Sequence, residues 1–371
     1  MKVMTIVGTR PEIIRLARVI ARLDATPGVD HVLVHTGQNY DRQLNQVFFD
    51  DLDLRAPDHY LGVDTSSLGS VLGGVLVETE KVLVAERPDA VLVLGDTNSC
   101  IAALMAKRMK VPTYHMEAGN RSFDENVPEE TNRRFVDHVA DFNLAYTEHA
   151  RRNLLAEGLH PRRVIVTGSP MREVLEHFRD RIDASAIRDK LGLQQRGYFL
   201  VSAHREENVD SPDRLHRLLD CLNRVRDAFG LPVIVSTHPR TRKRLDTFEV
   251  ESDDGIRWLE PFGFHDYNKL QLEAACVLSD SGTISEESSI LGFPAVTLRD
   301  SIERPEALDT GSIIMTGLNP DDVVRATGLV MSATETPSVP AGYHLDDTSL
   351  RVVRYIASTA GRHRDWAGLR A

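Results

Sequence analysis

The sequence predicts an α/β protein that folds as two domains, and three observations lead to this prediction. First, the chain has 371 residues, more than one hydrophobic core usually supports, so two domains are expected. Second, short runs of Val, Ile and Leu alternate with longer amphipathic segments, which is typical of buried parallel strands and their crossover helices. Third, this alternation starts again near residue 198, so the two halves of the chain have similar patterns.

The first half carries six predicted strands and one long helix. We expect the helix over residues 67–86 and strands at 2–7, 31–35, 89–94, 112–116, 142–146 and 163–166. The polar stretch 179–196 has the composition of a hinge-side helix and linker. The predicted N-terminal domain therefore covers residues 1–170.

The second half repeats the pattern and forms the predicted C-terminal domain, residues 171–347. Its strands are expected at 198–202, 233–235, 256–259, 276–278 and 295–298. Residues 333–347 contain two prolines with several Thr and Ser, which is typical of an irregular connection. A last helix is expected at 348–361, and we expect the segment 348–371 to pack back onto the N-terminal domain.

Composition limits the classes of function. With 42% hydrophobic and 27% charged residues, the chain resembles an ordinary soluble globular enzyme. The net charge of −11 argues against a general nucleic-acid or anionic-membrane surface. A small anion needs only a few local cations and backbone amides, so it stays possible as a ligand. No run approaches the roughly 18 apolar residues of a membrane span, so we expect a cytoplasmic protein.

Several common motifs are missing from the sequence. It has no G-x-G-x-x-G after the first strand, no G-x-x-x-x-G-K-[ST] and no H-E-x-x-H, so neither a dehydrogenase, a P-loop NTPase nor this type of zinc site is predicted. We therefore expect no cofactor and no metal. The remaining candidates have no metal-ligand spacing and are interpreted as structural: the thiols of Cys100, Cys221 and Cys276, and the histidines His35, His115, His138 and His149.

The turn after the first strand is a candidate anion site. Ligands of open parallel sheets bind outside the carboxyl ends of the strands, so chemistry is sought there. In Gly8-Thr9-Arg10-Pro11-Glu12 the glycine permits a tight turn and Pro11 suits the first turn of a helix. The amides of that helix N-terminus, with Arg10 and Arg15, favour a phosphate. An ordinary turn with solvated arginines is the structural alternative.

Three acidic residues of the first half lie at or near the edge of the sheet where chemistry is sought. Asp96 follows strand 89–94 and Glu117 follows strand 112–116, so both are expected at the same edge of the sheet. Glu129 lies in the first turn of a helix that opens at Pro128. Asp96 and Glu129 have structural alternatives, because Asp is common as a helix cap and acidic groups stabilise a helix N-terminus.

The second half places polar groups at equivalent positions. His204 follows strand 198–202, where it can meet a phosphate or move a proton. The run Asp280-Ser281-Gly282 lies at a strand-to-helix turn that can present amides to a pyrophosphate. Glu287, further into that helix, can accept hydrogen bonds from ribose hydroxyls.

Taken together, the order and identity of these segments resemble the non-hydrolysing UDP-N-acetylglucosamine 2-epimerase family. The resemblance covers nearly the whole chain. The segments that carry it are Gly8-Thr9-Arg10-Pro11-Glu12, Thr36-Gly37-Gln38, Gly95-Asp96-Thr97, Glu117-Ala118-Gly119, Pro128-Glu129-Glu130, Asn132-Arg133, His204-Arg205, Asp280-Ser281-Gly282, Glu286-Glu287 and Glu303-Arg304-Pro305-Glu306.

The resemblance implies a glycosyltransferase-B-like pair of Rossmann-like domains with the active site in the interdomain cleft. It also implies a UDP-sugar substrate, no nicotinamide, no required metal and a homodimer. The implied reaction removes the C2 proton, expels UDP by anti elimination to give a 2-acetamidoglucal, and re-adds UDP after reprotonation on the other face. The matching catalytic positions are Asp96, Glu117, Glu129 and His204. The matching substrate-binding positions are Arg10, Arg15 (where the family usually has Lys), Arg133, His238, Tyr267 against the uracil, Ser281, Gly282, Glu287 at the ribose, and Arg304.

Departures from the family pattern bear on the substrate. The usual His-Arg-Arg-Glu is His204-Arg205-Glu206-Glu207 here, and Asp64-Thr65-Ser66-Ser67 replaces an Arg-Gln that helps hold an activating second UDP-GlcNAc. With Ile13-Ile14-Arg15-Leu16 and His35-Thr36-Gly37-Gln38-Asn39-Tyr40-Asp41, these changes resemble the branch acting on UDP-2-acetamido-2,6-dideoxy-L-talose. That branch makes UDP-N-acetyl-L-fucosamine for bacterial surface polysaccharide.

Other readings stay open at this point. UDP-GlcNAc or UDP-ManNAc is the alternative substrate. A glycosyltransferase of the same fold and a catalytically silent UDP-sugar-binding module are the alternative functions, because fold alone does not set function.

Overall fold

A computed structural model describes residues 1–37, 48–247 and 255–370, without the side chains of Glu206 and Arg240. The predicted motif residues from Gln38 to Asp41 lie outside the described residues. The described chain divides into two compact units. Unit 1 is Met1–Arg121, Val127–His177 and Ala341–Ala371, and unit 2 is Ser122–Asn126 and Phe178–Pro340. Among the described residues, no helix is long and apolar enough to cross a membrane.

Unit 1 is built on a seven-stranded sheet. Its strands are β1 Lys2–Val7, β2 Asp30–His35, β3 His59–Tyr60, β4 Ala90–Leu94, β5 Thr113–Met116, β6 Phe142–Ala145 and β7 Val164–Val166. All pairings are parallel, and the order is β3-β2-β1-β4-β5-β6-β7. This is the order of a doubly wound sheet: successive strands are added towards one edge from β1 to β3 and towards the other edge from β4 onwards, so the strand order reverses between β1 and β4.

The α-helices of unit 1 connect these strands or follow the last one. They are α1 Arg10–Ala25, α2 Leu68–Glu86, α3 Ala102–Arg108, α4 Pro128–Val139, α5 Glu148–Ala156 and α6 Met171–His177, with α16 Thr348–Thr359 and α17 His363–Trp366 from the C-terminal segment. Helix α1 buries Ile13, Leu16, Ile20 and Leu23, which recur at the three- and four-residue spacing of one helical face. The C-terminal segment is held to unit 1 by a hydrogen bond of 2.6 Å from Arg22 Nε to Ser349 Oγ.

Unit 2 repeats the architecture with six strands. They are β8 Phe199–Ser202, β9 Val233–Ser236, β10 Ile256–Leu259, β11 Cys276–Ser279, β12 Ala295–Thr297 and β13 Ile314–Met315. All pairings are again parallel, in the order β10-β9-β8-β11-β12-β13. The predicted α/β class with two similar parallel-sheet halves is confirmed. The short edge strands β3 and β13 were not predicted.

The helices of unit 2 are α7 Arg179–Ala184, α8 Ile187–Lys190, α9 Glu206–Val209, α10 Pro212–Phe229, α11 Pro239–Thr247, α12 Phe264–Glu273, α13 Ile284–Leu291, α14 Glu306–Asp309 and α15 Pro320–Ser332. One core lies between the sheet and helices α10 and α15, and joins residues such as Val201, Leu218 and Val323. Helix α10 ends at Gly230, whose φ of 67° closes the helix in a left-handed conformation. These packed layers place the carboxyl ends of β8, β9 and β11 at one edge.

Candidate functional site

The predicted site residues cluster at the carboxyl edges of the two sheets. In unit 1 the strand order reverses between β1 and β4, and in unit 2 it reverses between β8 and β11. Ligands of open α/β sheets bind at such switch points because the two connections diverge there and leave a crevice. The turns after β1 and β4, and those after β8 and β11, carry most of the predicted residues.

In unit 1 the turn after β1 is organised by the carboxylate of Glu12, which sequence reasoning did not single out. Glu12 Oε2 accepts hydrogen bonds from the amides of Gly8 (2.5 Å) and Thr9 (3.0 Å). Its Oε1 accepts hydrogen bonds from the hydroxyls of Thr97 and Ser99, beyond β4. Burial raises the pKa of Glu12, and the four hydrogen-bond donors oppose that shift. Glu12 thus ties the turn after β1 to the turn after β4.

The Glu12 contacts change what the first turn can offer to an anion. We predicted that the backbone amides of this turn would face a phosphate, but two of them already bond the carboxylate of Glu12. Within the described part of the chain, Arg10 provides a cation next to this turn. Its guanidinium lies 5.4 Å from the centroid of the Phe48 ring, and burial lowers the pKa of Arg10. Any anion bound here would therefore meet the Arg10 side chain.

Asp96 lies directly beyond β4 and is held by Arg133 of α4. Arg133 donates from Nε to Asp96 Oδ2 (2.8 Å) and from Nη1 to Glu130 Oε2 (2.7 Å), and its Nη2 lies at an ion-pair distance of 2.7 Å from Asp96 Oδ2. The Asp96 side chain keeps 20% of its surface exposed, whereas Arg133 is almost completely buried. The N-cap of the short helix that follows is Thr97, so the structural alternative for Asp96, a helix cap, does not apply. Asp96 is a carboxylate with one oxygen fixed in direction by an arginine.

Glu117 lies directly beyond β5 and is held by Arg15 of α1. The distance from Arg15 Nη1 to Glu117 Oε2 is 2.6 Å, and both side chains are buried. The backbone of Glu117 has a φ of 66°, a left-handed conformation that few residues other than glycine adopt and that costs about 1–3 kcal/mol. The arginine at position 15 thus forms an ion pair inside the protein. Strain of this kind is typical of residues whose orientation matters for function.

Glu129, the third predicted acid, lies in the first turn of α4 and is half-buried. Its neighbour Glu130 is the residue that pairs with Arg133 and with Arg134, at 2.7 and 3.2 Å. The edge of the sheet thus carries two ion pairs, Asp96 with Arg133 and Glu117 with Arg15. Glu129 lies on α4, the helix that supplies Arg133.

In unit 2 the buried carboxylate of Asp280, beyond β11, organises the turn after β8. Its oxygens accept hydrogen bonds from the amides of His204 and Arg205 and from Asn208 Nδ2, at 3.0 to 3.1 Å. The His204 imidazole is 41% exposed, with Nδ1 3.6 Å from Asp280 Oδ1. The rings of His204 and His238 lie 5.7 Å apart between centroids. Both predicted histidines therefore stand at one edge of unit 2.

The turn after β11 leaves no room for a side chain at Gly282. A Cβ built there would lie 2.3 Å from Glu303 Oε1 and 2.5 Å from Arg304 Nη1. Arg304 is buried and donates from Nη1 to the carbonyl oxygen of Gly282 (2.7 Å), with Glu286 Oε2 3.4 Å from its Nε. Arg304 therefore holds the turn. The hydroxyls of Ser281 and Thr283 bond each other at 3.0 Å at the start of α13.

Glu287 and Tyr267 belong to one buried cluster beside this turn. Gln271 Nε2 donates to Glu287 Oε2 at 2.6 Å, and Gln271 is completely buried. Burial raises the pKa of Tyr267, the nearby Glu287 adds to that shift, and hydrogen bonds with Ser202 and Gln271 oppose it. Sequence reasoning named Glu287 and Tyr267 as candidates but did not name Gln271, because its partner Glu287 lies 16 residues further along the chain.

The histidines and cysteines interpreted as structural are placed as follows. His115 is buried between Asp137 Oδ1 (2.9 Å) and the carbonyl oxygen of Gly95 (2.8 Å). His35 stacks on Tyr60 with centroids 5.0 Å apart, and His138 lies 3.2 Å from Glu157 Oε2. All three cysteines are buried and unbridged. Among the described residues, no group of three or more His, Cys, Asp or Glu is arranged to hold a metal ion.

Comparison with known proteins identifies relatives over most of the chain. The family model described as UDP-N-acetylglucosamine 2-epimerase matches residues 21–357. A UDP-N-acetylglucosamine 2-epimerase from Methanocaldococcus jannaschii is 37% identical over 357 residues, covering 92% of this chain and 95% of that protein. The UDP-2,3-diacetamido-2,3-dideoxy-D-glucuronate 2-epimerase of Pseudomonas aeruginosa is 32% identical over 363 residues, covering 96% of this chain and 99% of that protein.

Solved structures are similar as well. The structure of UDP-N-acetylglucosamine 2-epimerase from Rickettsia bellii has a TM-score of 0.90 and 44% identity, and covers 98% of both chains. The Methanocaldococcus jannaschii enzyme in complex with UDP-GlcNAc and UDP has a TM-score of 0.91 and 35% identity, covering 96% of this chain and all of that one. A glycosyltransferase of kitacinnamycin, 10% identical with a TM-score of 0.57, shares the fold alone. The chain therefore belongs to the UDP-N-acetylglucosamine 2-epimerase family and is an isomerase.

Proposed function

We propose that this protein is a non-hydrolysing C2 epimerase of a UDP-2-acetamido-2-deoxy sugar. The observation that carries the proposal is a pair of carboxylates, Asp96 and Glu117, beyond the neighbouring strands β4 and β5. Each is oriented by one arginine, Arg133 or Arg15. Inverting C2 requires one group to remove a proton from one face and another to return a proton to the opposite face. Carboxylates fixed at neighbouring strand ends suit this task.

The proposed reaction is an elimination followed by an addition. A carboxylate removes the C2 proton, and the C–H electrons form a C1–C2 double bond. The bond from C1 to the phosphate oxygen breaks, and its electron pair leaves with UDP. UDP then re-adds to C1 of the 2-acetamidoglucal while C2 takes a proton on the other face, so no electrons are gained or lost overall. We assign the proton transfers to Asp96, Glu117 and Glu129.

The proposed contacts with UDP come chiefly from unit 2. The Ser281 hydroxyl and the Gly282 amide stand at the start of α13, where the helix dipole favours a phosphate. His204 and His238 lie at the same edge and would stabilise the departing diphosphate. Arg304 holds the Gly282 turn, as its hydrogen bond to the Gly282 carbonyl supports.

We assign the remaining contacts by position. Glu287 is proposed at the ribose and Tyr267 at the uracil, since both belong to the buried cluster beside the Gly282 turn. Arg10 of unit 1 is proposed as a further cation for the diphosphate. An active site in an interdomain cleft stays a prediction of the sequence.

The identity of the sugar is part of the proposal. The two relatives are named for different substrates, UDP-N-acetylglucosamine and UDP-2,3-diacetamido-2,3-dideoxy-D-glucuronate. These sugars share UDP and a 2-acetamido group but differ at other carbons. This supports C2 chemistry on a 2-acetamido sugar. From the sequence departures we propose UDP-2-acetamido-2,6-dideoxy-L-talose, with UDP-GlcNAc and UDP-ManNAc as the alternative. The product would be a precursor of bacterial surface polysaccharide.

One experiment tests the activity and separates the alternatives. The protein is incubated without acceptor in deuterium oxide with each UDP-sugar, and deuterium at C2 and free UDP are followed by NMR. We expect deuterium at C2, two epimers and no accumulation of UDP. Free UDP and free sugar in proportion to turnover would indicate a hydrolysing enzyme. UDP binding without exchange for any sugar would indicate a silent binding module, or a glycosyltransferase if transfer appears when acceptors are added.

A matched pair of variants tests the role of Asp96. Asp96→Asn removes the ionisable group but keeps the shape of the side chain, so we expect exchange to be lost while UDP still binds. Asp89→Asn is the control, because Asp89 precedes the same strand at its opposite end and bonds the amide of Lys2 at 2.7 Å. Exchange in Asp96→Asn at the rate of Asp89→Asn would contradict the assignment.

We propose that a second UDP-GlcNAc does not activate this protein. The segment that replaces the Arg-Gln pair serves the start of α2: Asp64 Oδ1 accepts from the Ser66 amide (2.9 Å), and Ser67 Oγ accepts from the Ser70 amide (3.1 Å). We therefore expect hyperbolic kinetics, with no stimulation by added UDP-GlcNAc when another sugar is the substrate. A sigmoidal rate curve would contradict this.

We propose further that the protein is a homodimer in which a second copy covers the outer face of α2. Val77 and Val84 are 52% and 57% exposed and lie on one helical face with Gly73, which has open space around it. A second copy would remove these apolar groups from water. Light scattering after size-exclusion chromatography should give twice the mass of 41.4 kDa. Val77→Glu should give the single mass, whereas Leu329→Glu, at an apolar residue of α15 that is 58% exposed, should keep the double mass. A monomeric wild-type protein would contradict the proposal.

A further inference from the structure

Beneath the acidic edge of unit 1 lies a cluster of four ionisable side chains, three of them buried and the fourth, Glu157, partly exposed. Arg121 donates from Nη1 to Asp137 Oδ2 (2.7 Å) and from Nη2 to Glu157 Oε2 (2.6 Å). His115 completes the cluster with Nδ1 2.9 Å from Asp137 Oδ1. His115, Asp137 and Arg121 are each at most 2% exposed. Proton transfer in the proposed reaction uses none of the four.

The surroundings of His115 determine where its hydrogens must be. Its Nδ1 faces a carboxylate oxygen of Asp137, and its Nε2 lies 2.8 Å from the carbonyl oxygen of Gly95. Both neighbours are acceptors, so a ring with a hydrogen on each nitrogen satisfies both contacts. The resulting imidazolium and Arg121 balance the charges of Asp137 and Glu157. The cluster can thus stay buried without net charge.

Through these contacts His115 and Asp137 join two turns, and we call the pair the His115–Asp137 clamp. The carbonyl of Gly95, next to Asp96, bonds His115, and the Gly95 amide bonds the carbonyl of Met116 at 3.0 Å. Asp137 accepts from the amide of Gly119 at 3.1 Å, two residues after Glu117. The clamp therefore connects the turn that carries Asp96 with the turn that carries Glu117.

The backbone that the clamp holds is strained at Glu117, which lies between two glycines that adopt a positive φ without strain. Glu117 has a φ of 66°, and Gly95 and Gly119 have φ values of 75° and 88°. A side chain at Gly119 is excluded, because its Cβ would lie 2.2 Å from the carbonyl oxygen of Ala150. Non-glycine residues keep such a conformation only where surrounding contacts impose it. Releasing the clamp would let the Glu117 turn relax.

We infer that His115 is a positioning residue for the C2 chemistry: doubly protonated and enclosed by Asp137 and Gly95, it sets the placement of the Asp96 and Glu117 carboxylates relative to each other. The inference rests on the proposed function. A misplacement of about 1 Å of a reacting group lowers a rate on the order of 10²-fold. Because the groups proposed to hold UDP are elsewhere, chiefly in unit 2, ligand affinity should not follow the loss of rate.

The test compares His115→Gln and Asp137→Asn with wild type. Gln can replace one of the two hydrogen bonds of His115 but not both, and Asn keeps the shape of Asp137 while removing its charge. We expect kcat for C2 inversion to fall on the order of 10²-fold, with KM and the Kd for UDP unchanged. The control is His363→Gln, a buried histidine of the same unit whose Nε2 lies 3.6 Å from Asp141, and it should keep the wild-type kcat.

A second measurement on the wild-type protein does not depend on a variant's folding. In protein with 15N-labelled histidine, both ring nitrogens of His115 should show the chemical shifts of protonated nitrogen at pH 7. A neutral His115 tautomer would overturn the inference. So would a wild-type kcat in both clamp variants, or equal losses of kcat and UDP affinity. Those results leave the proposed function standing, whereas a wild-type protein that never inverts C2 overturns the proposed function together with the inference.

Discussion

His35 makes the stability of unit 1 depend on pH. It is the last residue of β2, almost completely buried, and stacked on Tyr60 with an angle of 3° between the rings. Its Nδ1 accepts a hydrogen bond from the amide of Gly37 at 2.9 Å, so the neutral ring is the form that fits. Burial lowers the pKa of His35 from 6.5 to about 4. The His35 imidazole is therefore harder to protonate in the folded protein than in the unfolded chain.

The sign and size of the effect follow from this difference. Between pH 6.5 and about pH 4 the unfolded chain binds a proton that the folded protein does not, so stability falls as the pH is lowered through this window. Linkage with these two pKa values gives a loss of about 2 kcal/mol in the free energy of unfolding from pH 7 to pH 5. The loss approaches about 3 kcal/mol at pH 4.

The variant His35→Asn isolates this contribution. The side-chain oxygen of Asn can accept the Gly37 amide as Nδ1 does, but it does not titrate. Urea unfolding is followed at pH 7 and pH 5 by the fluorescence of Trp366 in unit 1, with Trp258 of unit 2 replaced by Phe. We expect wild type to lose about 2 kcal/mol more than His35→Asn over this interval. An identical pH dependence in the two proteins would refute the reasoning.

Two glycine substitutions, Gly119→Ala and Gly282→Ala, test the packing of the turns, and each has a second glycine substitution as its control. Gly119→Ala and Gly158→Ala both place Ala at a φ near 90°, which costs about 1–2 kcal/mol, but only at Gly119 would the Cβ meet a backbone oxygen, at 2.2 Å. Calorimetry should therefore show an extra loss of about 1–3 kcal/mol for Gly119→Ala, and equal melting temperatures would contradict the packing argument. In unit 2, Gly282→Ala should displace Glu303 and Arg304 and weaken UDP binding about tenfold, or about 1.4 kcal/mol by titration calorimetry. Gly328→Ala in α15, where the nearest contact is an ordinary 3.6 Å to Phe229, should leave the affinity unchanged, and similar affinities for both variants would argue against a role for the Gly282 turn.

The strand pattern could be predicted because the sheets are parallel and buried. Apolar runs such as Val91-Leu92-Val93 belong to strands that are covered on both faces, so every residue of the run is buried. Such a run can therefore be recognised from the sequence alone. The edge strands His59–Tyr60 and Ile314–Met315 have two residues each, too few to produce a periodic pattern. The positions of Asp96 and Glu117 at strand ends followed from the same reasoning.

The partners of these residues could not be predicted. Arg133 and Asp96 are 37 residues apart, and Arg15 and Glu117 are 102 residues apart, so only the fold brings them together. The role of Glu12 was accessible in part, because an acidic residue three positions after Thr9 is the pattern of a capping box. His115 gave no signal, since a histidine within a strand looks the same whether it is an inert core residue or a link between turns.

Positional isotope exchange in the UDP-sugar tests the central claim most directly, namely that C2 inverts through reversible loss of UDP at an edge formed by Asp96 and Glu117. The substrate carries 18O in the oxygen that bridges C1 and the β-phosphate, and 31P NMR follows its movement into nonbridging positions. We expect scrambling in step with deuterium uptake at C2, and the loss of both in Asp96→Asn. Inversion at C2 with the 18O label still in the bridge would contradict the elimination.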